Sequence, residues 1–158
     1  MAAAESDYNK AVARALDILA LRSHTAFELR HKLCRNFDAD IAEAAVARMA
    51  ELGYLNDLDF AERYAAELVE RKGLGLRLAK ARLCARGVSA ESAEQVLAPY
   101  VNEQGETARI TALIEKKYPA KLQEPNGAVR VFGALLRRGF AAEDIRAALR
   151  ELGMRSEA

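Results

Sequence analysis

Tryptophan is absent from this chain of 158 residues, proline occurs three times and cysteine twice. Each shortage closes off a class of protein. Two cysteines, Cys34 and Cys84, cannot build a disulfide framework. They follow Leu33 and Leu83 in similar surroundings and read as small free thiols, buried or half-buried. No apolar run nears the ~20 residues of a membrane-spanning helix, so no membrane contact is expected. Residues 1–7 have neither a basic start nor an apolar stretch, so no secretory signal is read there, and a reducing cytoplasm is the expected compartment.

Constellations that make or break bonds are also missing. Gly73-Leu74-Gly75 lacks the Gly-Lys-Ser/Thr of a phosphate loop and follows no strand, so it reads as a helix terminator and turn. His31 and Cys34 share a helix face at i, i+3, but no second ligand pair stands at metal spacing. His24 reads as a turn residue, and no serine has a histidine and an acid at motif spacing. The expectation is a non-enzymatic protein with no catalytic residue, cofactor or metal.

Helix-forming residues are abundant: Ala, Leu, Glu and Arg dominate, and 51% of the chain is apolar while 30% is charged. This composition favours helix over strand and excludes disorder. The apolar spacing is helical throughout. Tyr8, Val12, Ala15 and Leu19 lie on one face of a first helix. Thr25-Ala26-Phe27-Glu28 has the form of a capping box, with Leu29 and Leu33 behind it. Ile41, Ala45, Met49 and Leu52 line a third helix, capped by Asp38 or Asp40 and stopped at Gly53. Phe60, Tyr64 and Leu68 line the next, which Gly73 and Gly75 close. Leu76, Ala79 and Leu83 precede Gly87, and Ala93, Val96 and Leu97 follow the cap Ser89 and stop near Pro99. Ile110, Leu113, Ile114 and Tyr118 end before Pro119. Val129, Phe132 and Leu136 end at Gly139, and Ile145, Ala148, Leu149 and Leu152 form the last stripe.

About nine helices thus fall into three groups of three, and the grouping is an internal repeat. A shift of 52 positions lays Leu83, Arg86, Gly87, Ala90, Glu91 and Leu97 on Leu135, Arg138, Gly139, Ala142, Glu143 and Leu149. The first group matches more loosely, with Asn36-Phe37 in place of Arg-Gly. The expected fold is all-α: three tandem three-helix, helix-turn-helix-like repeats over 8–55, 56–101 and 102–153, in an elongated, curved array with tails at 1–7 and 154–158. A unit of ~50 residues buries one apolar face and leans on its neighbours for the rest.

Net charge is only +1, but the charge is sorted along the chain. Up to Glu70 acids outnumber bases by 13 to 8; from Arg71 to Arg86 there are six bases and no acid; the next 20 residues carry four acids and no base. The basic run is Arg71, Lys72, Arg77, Lys80, Arg82 and Arg86. Arg77 and Lys80 at i, i+3, and Arg82 and Arg86 at i, i+4, repel within a helix. The set therefore points to an anionic partner, either phosphate or an acidic protein surface. A looser second set includes Arg130, Arg137 and Arg138, beside Lys116, Lys117 and Lys121. The alternative is a basic face paired internally with acids such as Glu91 and Glu94. Base reading in a DNA groove is disfavoured, because the second helices present Glu43, Glu91, Glu94 and Glu143. Any nucleic-acid contact is expected at the backbone.

Gly53-Tyr54-Leu55-Asn56-Asp57, then Phe60-Ala61, Tyr64 and Lys72-Gly73-x-Gly75, resembles the most characteristic stretch of the RecX family. Ala15-Leu16 to Arg22 and Glu28-Leu29-Arg30-x-Lys32-Leu33 are similar to that family's first repeat, Leu83-x-x-Arg86-Gly87-Val88 to its second, and Arg137-Arg138-Gly139-Phe140 with Asp144-Ile145 to its third. The resemblance spans roughly 10–152. After Gly75 the family pattern of Pro and Arg-Ile is replaced by Leu76, Arg77, Leu78 and Ala79, and Arg82 stands where an acid is common. The resemblance implies a non-enzymatic regulator that binds in the groove of the RecA–single-stranded-DNA filament and generally inhibits its ATP hydrolysis and strand exchange; a monomer is expected. Two other readings stay open from the residues: a DNA-backbone-binding helical module acting without RecA, and a protein-only helical adaptor. The candidate contacts (Arg71, Lys72, Arg77, Lys80, Arg82, Arg86, Arg130, Arg137 and Arg138) come from charge and not from the family.

Overall fold

The computed structural model describes residues 1–103 and 105–153; the tail assigned to 154–158 lies outside the described residues. Among the described residues every regular element is helical. In chain order they are α1 (Ala2–Leu21), α2 (Ala26–Leu33), α3 (Ala39–Glu51), α4 (Asp57–Ala66), α5 (Leu76–Ala85), α6 (Ala90–Leu97), α7 (Thr107–Lys117), α8 (Pro119–Leu122), α9 (Gly127–Arg137) and α10 (Ala142–Glu151). A π turn, Glu67–Arg71, prolongs α4, and a 3-10 turn, Ala98–Tyr100, prolongs α6. The helix beyond the nine expected is α8, a single turn. Pro119 stops α7 and then serves as the first residue of α8, where its missing N–H costs nothing. α1 starts at Ala2 and takes in residues 2–7.

Local chemistry explains several helix starts. Thr25 and Glu28 complete a reciprocal capping box at α2. Asn56 Oδ1 accepts from Asp59 N at 3.1 Å before α4, and Ser89 Oγ accepts from Ser92 N at 3.1 Å before α6. Asp38 occupies the N-cap position of α3 without a side-chain cap bond.

The chain divides into two compact units, and the division runs through the middle repeat. One unit comprises Met1–Tyr64 with Leu83–Ala93; the other comprises Ala65–Arg82 with Glu94 onward. In the first unit, Ala11, Ala15 and Ile18 of α1 meet Leu29 and Leu33 of α2 and Ala42, Ala45, Val46 and Met49 of α3. Alanine at these contacts lets the helix axes approach closely. In the second unit, Ile110 and Ile114 of α7, Val131 and Leu135 of α9, Phe140, and Ile145, Ala148 and Leu149 of α10 form the core.

Three expectations about burial need correction. Val129 is 56% exposed, and Val131 and Leu135 are the buried pair of α9, with Phe132 and Leu136 partly buried. The helix is rotated so that positions i and i+4 from Val131 face the core, which turns Val129 outward. Leu52, at the C-cap of α3, is 47% exposed. Cys34 and Cys84 are both free and exposed. Each directly follows a fully buried leucine, and one residue further round a helix is about 100° away from the core face.

Candidate functional site

The Arg-Gly turn found by sequence repetition performs the same packing task in both units. In the first unit the Arg86 carbonyl accepts from Thr25 Oγ1 at 2.5 Å, at the start of α2. In the second unit the Arg138 carbonyl accepts from Gly75 N at 2.8 Å, at the start of α5. Close backbone approach makes the glycines necessary. Gly139 has φ +90°, and a Cβ there would fall on Leu78; a Cβ on Gly75 would fall on the Gly139 carbonyl group.

The arginine side chains of the two turns are also bound internally. Arg86 pairs with Glu28 through Nε and Nη2, and its guanidinium lies 5.0 Å and 4.9 Å from the ring centroids of Phe60 and Tyr64. Burial pushes the Glu28 carboxyl up, but hydrogen bonds from Arg86 and Arg22 outweigh it and hold the group below its usual 4.5. Burial pulls the Arg86 pKa down, and the same pairing with Glu28 more than restores it. Arg138 donates from Nη1 to the Lys72 carbonyl at 2.8 Å and from Nε to the Tyr118 hydroxyl at 3.1 Å.

A second clamp holds the approach to α5. Arg109 donates to the Leu74 carbonyl at 2.9 Å and pairs with Glu106, while its guanidinium sits 5.6 Å from the Phe140 ring centroid. Glu106 Oε1 accepts from Leu76 N at 3.0 Å, placing a carboxyl at the positive end of α5. Burial raises the Glu106 pKa, against the opposing effects of the Leu76 N–H and Arg109; Asp144 adds to the rise. The loop 72–76 is therefore fixed from both sides, and α5 leaves it in a defined direction.

His24 is buried between α1 and α2. Its network assigns the neutral ring: Nδ1 donates to the Arg22 carbonyl at 2.8 Å and Nε2 accepts from Lys32 Nζ at 2.8 Å. Burial lowers its pKa; the bond to Arg22 opposes this, and the charges of Arg22 and Lys32 add to it.

The nine basic candidates fall into three sets. Arg86 and Arg138 hold the fold as described. Arg71 and Lys72 reach Glu67 at 3.3 Å and 3.4 Å, Arg130 reaches Glu124 at 3.0 Å, and Lys80 pairs with Glu94. Such exposed pairs contribute little to stability and exchange readily with an outside anion. Arg77 and Arg82 of α5 and Arg137 of α9 are exposed and, among the described residues, have no ion-pair partner. All three belong to the second unit. Because the α9–α10 turn packs on the first turn of α5, Arg77 and Arg137 sit on elements that touch.

Sequence periodicity gave no role to Arg109 or Glu106 and saw in Glu28 only a cap. Glu106 and Arg109 pair locally at i, i+3, but their bonds to Leu76 and Leu74, and that of Glu28 to Arg86, span 30 to 58 positions, and no local pattern records such a pairing. The internal repeat was the one available signal, since it isolated the Arg-Gly turns.

The architecture defines an all-helical protein of tandem three-helix domains. The family model described as RecX, first three-helix domain, matches residues 11–49, and that for the second three-helix domain matches residues 56–97. The chain is 31% identical to the Regulatory protein RecX of Prosthecochloris aestuarii over 149 residues, covering 94% of this chain and 97% of that one. It is 34% identical to the Regulatory protein RecX of Cronobacter sakazakii over 158 residues, covering 92% and 93%. The fold is similar to the crystal structure of RecX from Lactobacillus salivarius, with a TM-score of 0.79 at 23% identity, over 94% of this chain and 98% of that one. The chain belongs to the RecX family of regulatory proteins. Among the described residues, no helix is long and apolar enough to cross a membrane.

Proposed function

We propose that this protein is a non-enzymatic regulator that binds the RecA–single-stranded-DNA filament and inhibits its ATP hydrolysis and strand exchange, and that it works as a monomer in the cytoplasm. The observation that carries the reading is its likeness to regulatory RecX proteins along 94% of its length. The charge placement supports it. Arg77, Arg82 and Arg137 are the foremost contacts, since binding them to acidic protein or phosphate breaks no internal pair. Arg71, Lys72, Lys80 and Arg130 contribute by exchanging weak surface partners. Arg86 and Arg138 act as positioning residues through the turns they hold. Several modest contacts, repeated along a polymer, add through multivalency.

The test is DNA-dependent ATP hydrolysis by the cognate RecA with this protein well below one molecule per RecA. The expected result is inhibition that the triple variant R77E/R82E/R137E loses while its circular dichroism stays unchanged. No inhibition and no binding to the preformed filament overturns the filament reading. Tight binding to naked DNA without any preference for the filament favours the backbone-binding module instead.

A further inference from the structure

We propose that the groove between α5 and the end of α6 is a docking site for an acidic peptide segment that anchors one large apolar side chain. The groove has a volume of about 520 Å³, and Leu76, Arg77, Lys80, Glu94, Leu97 and Val101 give it its character. Leu97 is buried at its base, while Val101 is 63% exposed at its edge. This is an apolar surface with room for a side chain, and no described residue covers Val101.

Both walls are fixed before any ligand arrives. Leu76 is held by Glu106 at 3.0 Å. The opposite wall follows the 3-10 turn, where the Tyr100 hydroxyl donates to Glu70 at 2.7 Å. A groove with preset walls binds without first ordering them.

Charge selects the occupant. Among the described lining residues the cations are Arg77 and Lys80 and the acid is Glu94, so the rim carries one cation in excess. Lys80 is paired with Glu94 in an exposed bridge that an incoming carboxylate can replace at little cost. Glu94 is thus an internal competitor for the ligand's acid. Among the described residues the lining has no aromatic ring, and single-stranded nucleic acid relies on aromatic faces for stacking, so the groove suits peptide better than bases. A second copy of this chain is a poor occupant. Its Asp57-Leu58-Asp59 is the obvious acidic–apolar segment, but Asp57 accepts from Ala26 N at 2.9 Å and Asp59 pairs with Arg63. Arg77 and Lys80 are also among the cations of the proposed function, but peptide binding in the groove requires neither RecA nor DNA.

The experiment uses the full chain, labelled with 15N and titrated with acetylated, amidated hexapeptides of the form EDXEDE, in which X is Leu, Ile, Met or Phe. Controls carry Gly at X or Lys at every acid. At least one peptide is expected to shift amides at 76–80 and 94–101 and few others. Arg77→Glu should weaken it by about tenfold, the scale of one charged contact. Glu94→Gln should strengthen it by about threefold, because the competing carboxylate is gone. Val101→Asp should abolish it with the rest of the spectrum unchanged. The proposal is overturned if no peptide shifts these amides, if the Gly control binds as well, or if Glu94→Gln weakens binding. It is also overturned if oligo-dT, and not peptide, perturbs the groove, or if self-association alone moves these signals.

Discussion

Glu28 and Glu106 each sit near a helix start and against an arginine, yet burial and bonding leave them with opposite pKa shifts. Glu28 titrates below its ordinary value of 4.5, so its contribution is present above that pH and is lost as acid protonates it through the folded-state pKa. Glu106 titrates above 4.5, so its effect is reversed: stability is fullest below the unfolded value and falls as pH rises through the folded one. Replacing Glu28 with Gln removes the charged partner of a half-buried arginine and should cost about 2 kcal/mol at pH 7. In urea unfolding the penalty should shrink steadily as pH is lowered below 4.5; a penalty equal at pH 7 and pH 3 would show that the charge is irrelevant. The cysteines offer a simpler check. Because Cys34 and Cys84 are exposed, both thiols should react with Ellman's reagent in the native protein, with no added denaturant.

At the scale of elements, the Arg-Gly turn is the recurring device. Its arginine carbonyl meets the start of an earlier helix, and its glycine leaves room for a residue of that helix, Phe27 at Gly87 and Leu78 at Gly139. Two glycines separate conformation from contact. Gly53 has φ +79° with open space around its Cβ position, whereas Gly139 has φ +90° with Leu78 in the way. Gly53→Ala should cost about 1 kcal/mol, the ordinary penalty of a left-handed residue. Gly139→Ala should cost about 3 kcal/mol or more, because the α9–α10 turn must also back away from α5. Thermal unfolding of the two variants checks the difference; equal losses would remove the case for close approach. The capping box at α2 and the serine cap at α6 were legible in four-residue patterns, since their donors and acceptors lie within one turn of helix.

For the molecule as a whole, a net charge of +1 leaves little long-range attraction to polyanions, so local clusters must supply it. With three arginines lacking partners among the described residues, binding to oligo-dT should be weak. The slope of log K against log salt should be about −2, the value for about three neutralised phosphates on a single strand. Fluorescence anisotropy across a salt series measures it, and R77E/R82E/R137E should flatten the slope toward zero. A slope far steeper than that would mean that the paired cations also surrender their partners to DNA.

Short-range periodicity determined much of this protein on its own: that it is helical, where most helices stop, and that a three-helix plan recurs. Hydrogen bonds within a helix and apolar spacing along it are local, so neighbouring residues record them. The sequence also located the basic run, because charge can be read residue by residue. Which cations stay available was decided only by tertiary structure. Arg86 and Arg82 look alike in the chain, but one meets Glu28 from 58 positions away and the other meets no acid among the described residues. The rotation of α9 that turns Val129 outward, and the single helix step that exposes both cysteines, were likewise set by packing. A side chain's partner depends on which distant segments share its space, and that is a property of the folded chain.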